Sequence, residues 1–213
     1  MRRENNTRII LPEPYIYCPF TQNSIDVKGH LIWDYESNMS YSSTGARFTG
    51  SSYLRSVNKV QSNNFITFCF YAMFDEIPID GVSSTWQTTH YIMGNNSEQY
   101  RYYGYLQHYS AENVELVNAL MTGSFSLDTN VLTTDLGTTQ TNTWYRFVTR
   151  RNTSDTDLWV SDVHRKVNFA MNPSYYLDII LGRRKASDRY LKGYLRDFTV
   201  WNTALTDEQI ATL

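Results

Sequence analysis

The feature that most constrains the fold of this chain is the pattern of its final segment, residues 192–213. The first half alternates between the two faces of a strand, with Tyr194, Phe198 and Val200 on one side and Leu195, Asp197, Thr199 and Trp201 on the other. Thr206 is a good helix N-cap, and Gln209 three residues later completes a capping box. Leu205 and Ile210 occupy the two positions of a hydrophobic staple. The segment therefore predicts a strand, a tight corner and one or two turns of helix.

The same segment, from Gly193 to Leu213, closely resembles the C-terminal signature of laminin-G-like, concanavalin A-like jelly rolls. The departures from that signature are small: Arg196 stands where an acidic residue is common, Thr199 where Arg is common and Trp201 where Tyr is common. The resemblance implies an all-β fold, a two-sheet antiparallel jelly-roll sandwich with a short C-terminal helical turn. It implies no single function, because this sandwich hosts lectins, hydrolases and structural modules.

Other landmarks of the same family occur in family order along nearly the whole chain. They are the segments 15–20, 45–54, 65–74, 91–95, 144–149, 157–162 and 176–182. Segment 65–74 contains Thr67 as its only polar residue, a pattern typical of a central strand covered on both faces. Segment 99–109 is also strongly β in character, whereas the Thr-rich segment 121–143 predicts hairpins and loops.

The length of 213 residues fits one all-β sandwich. We expect a single laminin-G-like jelly-roll domain over residues 14–213. Residues 1–13 combine a polar, basic start with a short apolar patch and Pro12. They are interpreted as an extended arm that is either disordered or docked onto a neighbour.

Composition and charge exclude two classes of partner. The net charge of −2 gives no electrostatic basis for binding nucleic acid. The clusters Arg150–Arg151 and Arg183–Lys185 adjoin turn signals and are interpreted as solvated hairpin ends. No apolar run reaches about 18 residues, so no membrane span is expected.

Cys18 and Cys69 lie in apolar runs, which favours two buried free thiols, with a disulfide as the alternative.

The carboxylates do not match the pattern of the catalytic relatives of this fold, the retaining glucanases. Those enzymes place Glu, Asp and Glu on one strand, and retaining chemistry needs two carboxyl groups about 5 Å apart. Asp75–Glu76 are adjacent at a strand end and would point to opposite faces. Asp155 and Asp157 are assigned to a Ser/Thr/Asp turn, and Asp207–Glu208 to the first turn of the terminal helix. We expect no enzyme activity, with a glycoside hydrolase as the less favoured alternative.

The tyrosine-rich segment 99–109 is the best candidate for sugar binding. Tyr and Trp supply apolar area at low entropic cost together with a hydrogen-bonding tip. Alternation along a strand puts most of the candidates on one face, while Trp86 in a neighbouring polar loop is poorly explained as core. The predicted carbohydrate-binding residues are Trp86, Arg101, Tyr103, Tyr105, Gln107 and Tyr109. Packing of these tyrosines between sheets or at a subunit contact is the alternative.

No cofactor is predicted, although the resemblance raises the question of calcium. Many domains of this family hold calcium at one rim of the sandwich with Asp, Asn and carbonyl oxygens. The landmark Asp of the family is replaced here by Thr49, and no acidic cluster compensates nearby. Asp34 and Asp188 are the acidic residues to test if calcium binds.

The N-terminal residues bear on the compartment in which the protein is made. The charged residues 1–8 are followed by an apolar patch that Pro12 ends, so no signal peptide is predicted. Domains of this family normally belong to large secreted proteins, whereas this chain begins with its own Met. We therefore expect synthesis in a host cytoplasm and a place in a bacteriophage virion, as a decoration, fibre or tail protein. Expected partners are surface glycans or neighbouring virion proteins, in a homo-oligomer such as a trimer; a purely architectural role is the alternative.

Overall fold

The structure is a computed structural model that describes residues 9–61, 65–76, 89–95, 100–110, 113–122, 131–134, 140–167, 176–177, 179–183 and 190–213. The described residues form the strands β1 (Ile16–Cys18), β2 (Trp33–Glu36), β3 (Ser40–Ser42), β4 (Gly45–Thr49), β5 (Leu54–Ser56), β6 (Val60–Gln61), β7 (Ile66–Phe74), β8 (Thr89–Asn95), β9 (Tyr100–Ser110), β10 (Asn113–Thr122), β11 (Val131–Thr134), β12 (Trp144–Arg151), β13 (Thr156–Val160), β14 (Val163–Val167), β15 (Tyr176–Leu177), β16 (Ile179–Leu181) and β17 (Lys192–Trp201). One short helix, α1 (Asp207–Ile210), follows them. For β9, β10, β11 and β15 the backbone alone is described.

Two antiparallel sheets pack against each other. The larger has eight strands, in the order β14-β13-β12-β7-β17-β4-β3, with β1 also paired to β17. The smaller has seven, in the order β11-β10-β9-β8-β16-β5-β2, and β15 pairs separately with β6. The expected fold, an all-β sandwich of two antiparallel sheets with a short C-terminal helix, is confirmed.

The central strand of the larger sheet, β7, is buried on both faces. Phe68 and Phe74 belong to the core between the sheets, together with Ile92 and Leu181 of the smaller sheet. The opposite face of β7, called here the outer face of the larger sheet, carries a second apolar cluster. Its buried members are Cys69, Val148, Trp159, Trp201, Leu205 and Ile210. The predicted burial of this strand on both faces is therefore confirmed. The smaller sheet covers one face, and the C-terminal segment after β17, which contains Leu205 and Ile210, covers the other.

An inserted residue in β17 changes which of its side chains are buried. Arg196 lies opposite Tyr71, and Thr199 lies opposite Cys69. Three residues of advance along β17 therefore correspond to two along β7. The extra residue forms a bulge at Asp197, whose φ is +54°. Leu195 consequently joins Phe198 and Val200 in the core between the sheets. The predicted placement of Leu195 on the side of Trp201, and of Tyr194 on the side of Phe198, is wrong because uniform alternation makes no allowance for a bulge.

The terminal helix has the predicted caps. The Gln209 amide donates to Thr206 Oγ1 at 3.2 Å, and the Thr206 amide donates to Gln209 Oε1 at 2.9 Å. Leu205 and Ile210 are both buried in the second apolar cluster. In the part of the chain that the structure describes, no helix has the length and apolar character needed to cross a membrane.

The interpretation of Arg150 and Arg151 as solvated hairpin ends is wrong. Arg151 is only 1% exposed, and the side chain of Arg150 is 13% exposed. Both residues end β12 within the larger sheet, and the C-terminal segment passes over this end. Arg150 Nη1 donates to the carbonyl oxygen of Leu205 at 2.8 Å. Arg150 is therefore part of the packing between the sheet and its cover, whereas Arg151 lies opposite Ile66 of the core and belongs to the inner face.

A buried carboxylate organises the loop between β1 and β2. Asp26 is 4% exposed, and its Oδ1 accepts from the amides of Tyr17 at 2.8 Å and Lys28 at 3.0 Å. Its Oδ2 accepts from the amides of His30 at 2.7 Å and Leu31 at 2.9 Å. Hydrogen bonds to a charged acceptor are stronger than neutral ones, so this carboxylate sets the path of the loop.

We expect Asp26→Ala to lower the free energy of unfolding by about 3 kcal/mol, because backbone amides lose their charged acceptor in a buried site. Urea denaturation followed by tryptophan fluorescence measures the change. Glu13→Ala is the matched control, since Glu13 is a 79% exposed carboxylate paired with Lys28 of the same loop. It should change the stability by less than about 1 kcal/mol. Equal losses in the two variants would contradict the organising role of Asp26.

Candidate functional site

The predicted sugar-binding residues of segment 99–109 lie on β9, an interior strand of the smaller sheet. Gly104 lies opposite Met93, and Met93 lies opposite Leu181, a residue of the core between the sheets. Directly opposite residues share a face of a sheet, so the position of Gly104 is on the core face. Alternation then places four of the predicted positions on the face away from the core: Arg101, Tyr103, Tyr105 and Gln107. We call these four positions the β9 row.

The remaining two predicted residues do not belong to this regular row. His108 pairs with Val114 and Ser110 with Asn113, so β9 contains an extra residue between them. Regular alternation is therefore interrupted at Tyr109. Trp86 lies outside the described residues, as do the side chains of the β9 row. The sugar site remains a prediction, and the structure defines the backbone of β9 and its pairing with β8 and β10.

The carboxylate of Asp157 is part of a structural network. The expected location of this residue in a turn is wrong, because Asp157 is in β13 and is 1% exposed. Arg150 donates to its Oδ2 from Nε at 3.1 Å and Nη2 at 2.9 Å, and His164 Nε2 lies 2.9 Å from its Oδ1. Burial lowers the pKa of Arg150, but hydrogen bonds to Asp157 and Asp207 outweigh this effect and raise it. Asp157 therefore joins neighbouring strands.

One of the two acids named for calcium is already paired with a cation. Arg55 donates to Asp34 from Nε at 3.0 Å and from Nη2 at 2.7 Å. These hydrogen bonds lower the pKa of Asp34. Asp188 lies outside the described residues. Within the residues that the structure describes, no group of three or more His, Cys, Asp and Glu side chains could hold a metal ion.

A cavity of about 330 Å³ lies on the outer face of the larger sheet, between residues 11–14 and the C-terminal segment. We call it the outer-face pocket. Its aromatic lining consists of Tyr17 from β1, Tyr71 from β7 and Trp201 from β17. The pocket also contains the carboxylate of Asp197 at the β17 bulge. An apolar concave site with one charged group is the usual composition of a small-ligand pocket.

The polar tips of the three aromatic side chains are all bonded within the chain. Tyr17 Oη donates to Asp197 Oδ1 at 3.1 Å, and Tyr71 Oη donates to the main-chain oxygen of Leu213. Trp201 Nε1 donates to the carbonyl oxygen of Pro12 at 3.0 Å. Burial and the Asp197 carboxylate raise the pKa of Tyr17, so its hydroxyl stays protonated and remains a donor. The rings are therefore held in fixed positions.

The described part of the predicted arm, residues 9–13, contacts the C-terminal segment of its own chain. Gln209 Nε2 donates to the carbonyl oxygen of Ile10 at 2.8 Å, and Pro12 accepts from Trp201 as above. The side chain of Leu11 lines the outer-face pocket. The boundary at residue 13 stays a prediction, but this part of the arm forms one wall of the pocket.

The two cysteines are free and buried, as predicted. Burial raises the pKa of Cys18, and it raises the pKa of Cys69, which lines the outer-face pocket, to about 12. A thiol with such a pKa is not a useful nucleophile near neutral pH, because the thiolate is the reactive form. The pocket is therefore unsuited to thiol chemistry.

We expect neither thiol to react with Ellman's reagent at pH 8 while the protein is folded. A pKa of about 12 for Cys69 leaves roughly one thiolate in ten thousand at that pH. The absorbance of the released product should show two thiols per chain only after denaturant is added. Rapid modification of one thiol in the folded protein would show that this burial is incomplete.

Sequence reasoning did not find the outer-face pocket, because its residues are distant in the chain. Tyr17 and Asp197 are separated by 180 positions, and no local pattern links them. The one signal in the sequence was Asp197 itself, a charged residue in a largely apolar terminal strand. The bulge explains why a charge is accommodated there.

Solved structures similar to this chain include a domain of a botulinum neurotoxin and a domain of an arabinanase. The binding domain of botulinum neurotoxin serotype D matches with a TM-score of 0.64 and 13% identity, over 93% of this chain and 50% of that chain. The domain of the same serotype in complex with N-acetylneuraminic acid matches with a TM-score of 0.62 and 13% identity, again over 93% and 50%. This chain thus spans about half the length of the toxin chains.

The second domain is domain 4 of a GH43 extracellular arabinanase from Geobacillus stearothermophilus, in complex with arabinotriose. It matches with a TM-score of 0.60 and 15% identity, over 94% of this chain and 97% of that chain. At these identities the likeness shows the fold alone.

No curated protein matches the chain significantly. The family model described as the concanavalin A-like lectin/glucanases superfamily, of laminin-G type, matches residues 48–211. The matched region runs from the end of β4 to just beyond α1, so it includes the strands β5 to β17 and the C-terminal cover. This match confirms the resemblance seen in the terminal signature. The chain therefore belongs to the concanavalin A-like lectin/glucanases superfamily.

Proposed function

We propose that this protein is a non-catalytic carbohydrate-recognition module that binds surface glycans through the β9 row. Tyr109 and Trp86 are further contacts in this proposal. The observation that carries it is the register of β9. The strand is in the interior of the smaller sheet, and its regular positions on the face away from the core are Arg101, Tyr103, Tyr105 and Gln107. Aromatic residues interleaved with planar polar groups suit the apolar and hydroxyl-bearing faces of sugars.

The comparisons support this class of function. The fold is that of lectins, and two similar structures were solved with N-acetylneuraminic acid and with arabinotriose. The arabinanase domain is matched over 97% of its length, so a unit of this extent is large enough to hold an oligosaccharide.

The surroundings of the described carboxylates support a role without catalysis. Asp75 pairs with Arg47, and Glu76 pairs with Lys192 at 2.7 Å. Asp157 is buried against Arg150. A retaining glycosidase needs two carboxyl groups facing one cleft, whereas each of these groups is matched by a cation within the fold.

We expect the double variant Tyr103→Ala/Tyr105→Ala to lose glycan binding on an array, because each ring removed takes away apolar contact area. The melting temperature should change little, since both positions lie on the face away from the core. Tyr194→Ala is the control, because Tyr194 is a half-buried tyrosine of the larger sheet beneath the Arg47 guanidinium. Retained binding by the double variant would remove the β9 row from the proposal.

The same array distinguishes metal-free from calcium-dependent recognition. Because no cofactor is predicted, binding should be equal in calcium and in EDTA. Binding that is lost in EDTA would indicate a calcium site. A blank array from a folded protein would favour the architectural alternative.

A place on the surface of a bacteriophage virion remains a proposal that rests on the sequence alone, as does assembly into a homo-oligomer. Mass spectrometry of purified particles tests the first, and light scattering of the purified chain tests the second. Under the proposal the chain is recovered in stoichiometric amounts from particles banded on a density gradient. Absence from the particles would contradict it without affecting the evidence for glycan binding.

A further inference from the structure

The outer-face pocket is separate from the β9 row, because the pocket lies on the larger sheet and β9 belongs to the smaller one. Its three aromatic side chains come from three different strands, and each polar tip is bonded within the chain. The half-buried rings of Tyr17 and Tyr71 therefore offer a ligand apolar area in a fixed arrangement, whereas Trp201 is only 4% exposed and fixes the wall of the pocket. A rigid lining of this kind suits the C–H face of a sugar ring, since little side-chain entropy is lost on binding.

Asp197 supplies the charged acceptor of the pocket. Its Oδ1 accepts a hydrogen bond from Tyr17 at 3.1 Å. Its Oδ2 lies 3.7 Å from Arg196 Nε, a distance that fits an ion pair but is too long for a hydrogen bond. An ionised carboxylate has about four acceptor positions on its two oxygens. Asp197 can therefore accept hydrogen bonds from ligand hydroxyls without losing Tyr17.

The backbone holds this carboxylate at the pocket at an energetic cost. Asp197 has a φ of +54°, and Thr199 Oγ1 donates to its carbonyl oxygen at 2.9 Å. A non-glycine residue in this conformation is strained, and such residues are concentrated at functional sites, ligand sites among them. The bulge both creates the conformation and places the side chain beside the three rings.

The charges around the pocket favour a neutral ligand. The Arg196 guanidinium lies 5.3 Å from the centroid of the Tyr71 ring and 4.2 Å from that of Trp144. It is thus a fixed cation beside Asp197, and a second cation would be repelled by it. An anionic ligand would in turn be repelled by the Asp197 carboxylate.

We infer that the outer-face pocket binds a neutral, hydroxylated ring, such as a single unit of a glycan. The Tyr17 and Tyr71 rings contact the C–H face of the ligand ring, and Asp197 accepts from its hydroxyls. The cavity of about 330 Å³ is at the small end of the range for ligand pockets, as a short saccharide requires. The inference rests on the proposed function for the class of ligand, and it adds a second site on the opposite sheet.

The test is a titration with glucose, galactose, mannose, arabinose and N-acetylglucosamine, followed by ¹H–¹⁵N NMR at the Trp201 indole and the Thr199 amide. With the unaltered chain, at least one sugar should give saturable shifts at both groups. Asp197→Asn should weaken that binding about tenfold or more, because a charged acceptor is lost. Asn tolerates a positive φ well, so this variant keeps the bulge, and a thermal melt checks it. Asp207→Asn, a 75% exposed carboxylate at α1, is the matched control and should bind like the unaltered chain.

The double variant Tyr103→Ala/Tyr105→Ala separates the two sites. It should keep the shifts at Trp201 and Thr199 while losing binding on the glycan array, because a pocket that holds a single sugar unit binds too weakly for an array to retain the complex. Unchanged affinity in Asp197→Asn would overturn the pocket inference and leave the proposed function intact. Shifts at these groups with tetramethylammonium, and with none of the sugars, would also overturn it. If the unaltered chain binds no sugar in the titration and no glycan on the array, the proposed function and the inference fail together.

Discussion

The burial of β7 on both faces is the constraint on which the larger sheet depends. This strand directs Phe68 and Phe74 towards the smaller sheet and Cys69 towards the outer face. A strand with apolar side chains on both faces must be covered twice. The smaller sheet is one cover. The other is the segment after β17, which brings Leu205 and Ile210 over the outer face.

The second cover is attached through its main chain. Arg146 Nη1 donates to the carbonyl oxygen of Ile210 at 3.1 Å, and Arg150 Nη1 donates to that of Leu205 at 2.8 Å. Thr67 Oγ1 donates to the carbonyl oxygen of Thr203 at 2.9 Å. Side chains of the sheet therefore hold three main-chain carbonyl groups of the cover in place. The outer-face pocket lies where this cover, β17 and the N-terminal arm meet, so its walls follow from the way the sheet is closed.

Local chemistry made part of the fold predictable from the sequence. The capping box of Thr206 and Gln209 involves residues three positions apart, and it occurs as predicted. The apolar pattern of β7, in which Thr67 is the only polar residue, indicated its central place, because a strand with one face in water would alternate apolar with polar residues.

Features that depend on distant partners were not predictable. The bulge at Asp197 is a property of the pairing between β17 and β7, which are far apart in sequence. Arg151 is buried at the end of β12 opposite Ile66 of β7, a residue of the core between the sheets that is distant in the sequence. Of the candidate sugar site, the strand and its spacing were predicted. The interruption at Tyr109 was not, because it arises from the register between β9 and β10.

The bulge in β17 has an evolutionary consequence. The bulge takes up one extra residue, so Leu195 and Phe198 both point into the core although they are three positions apart. A deletion of Asp197 would leave both faces of the strand unchanged, because Phe198 would then follow Arg196 in regular alternation. A relative without the insertion should therefore carry the two matching core residues two positions apart. Alignments of this strand should accordingly place a one-residue gap at Asp197, and the spacing of the apolar residues across the gap shows which version a sequence has.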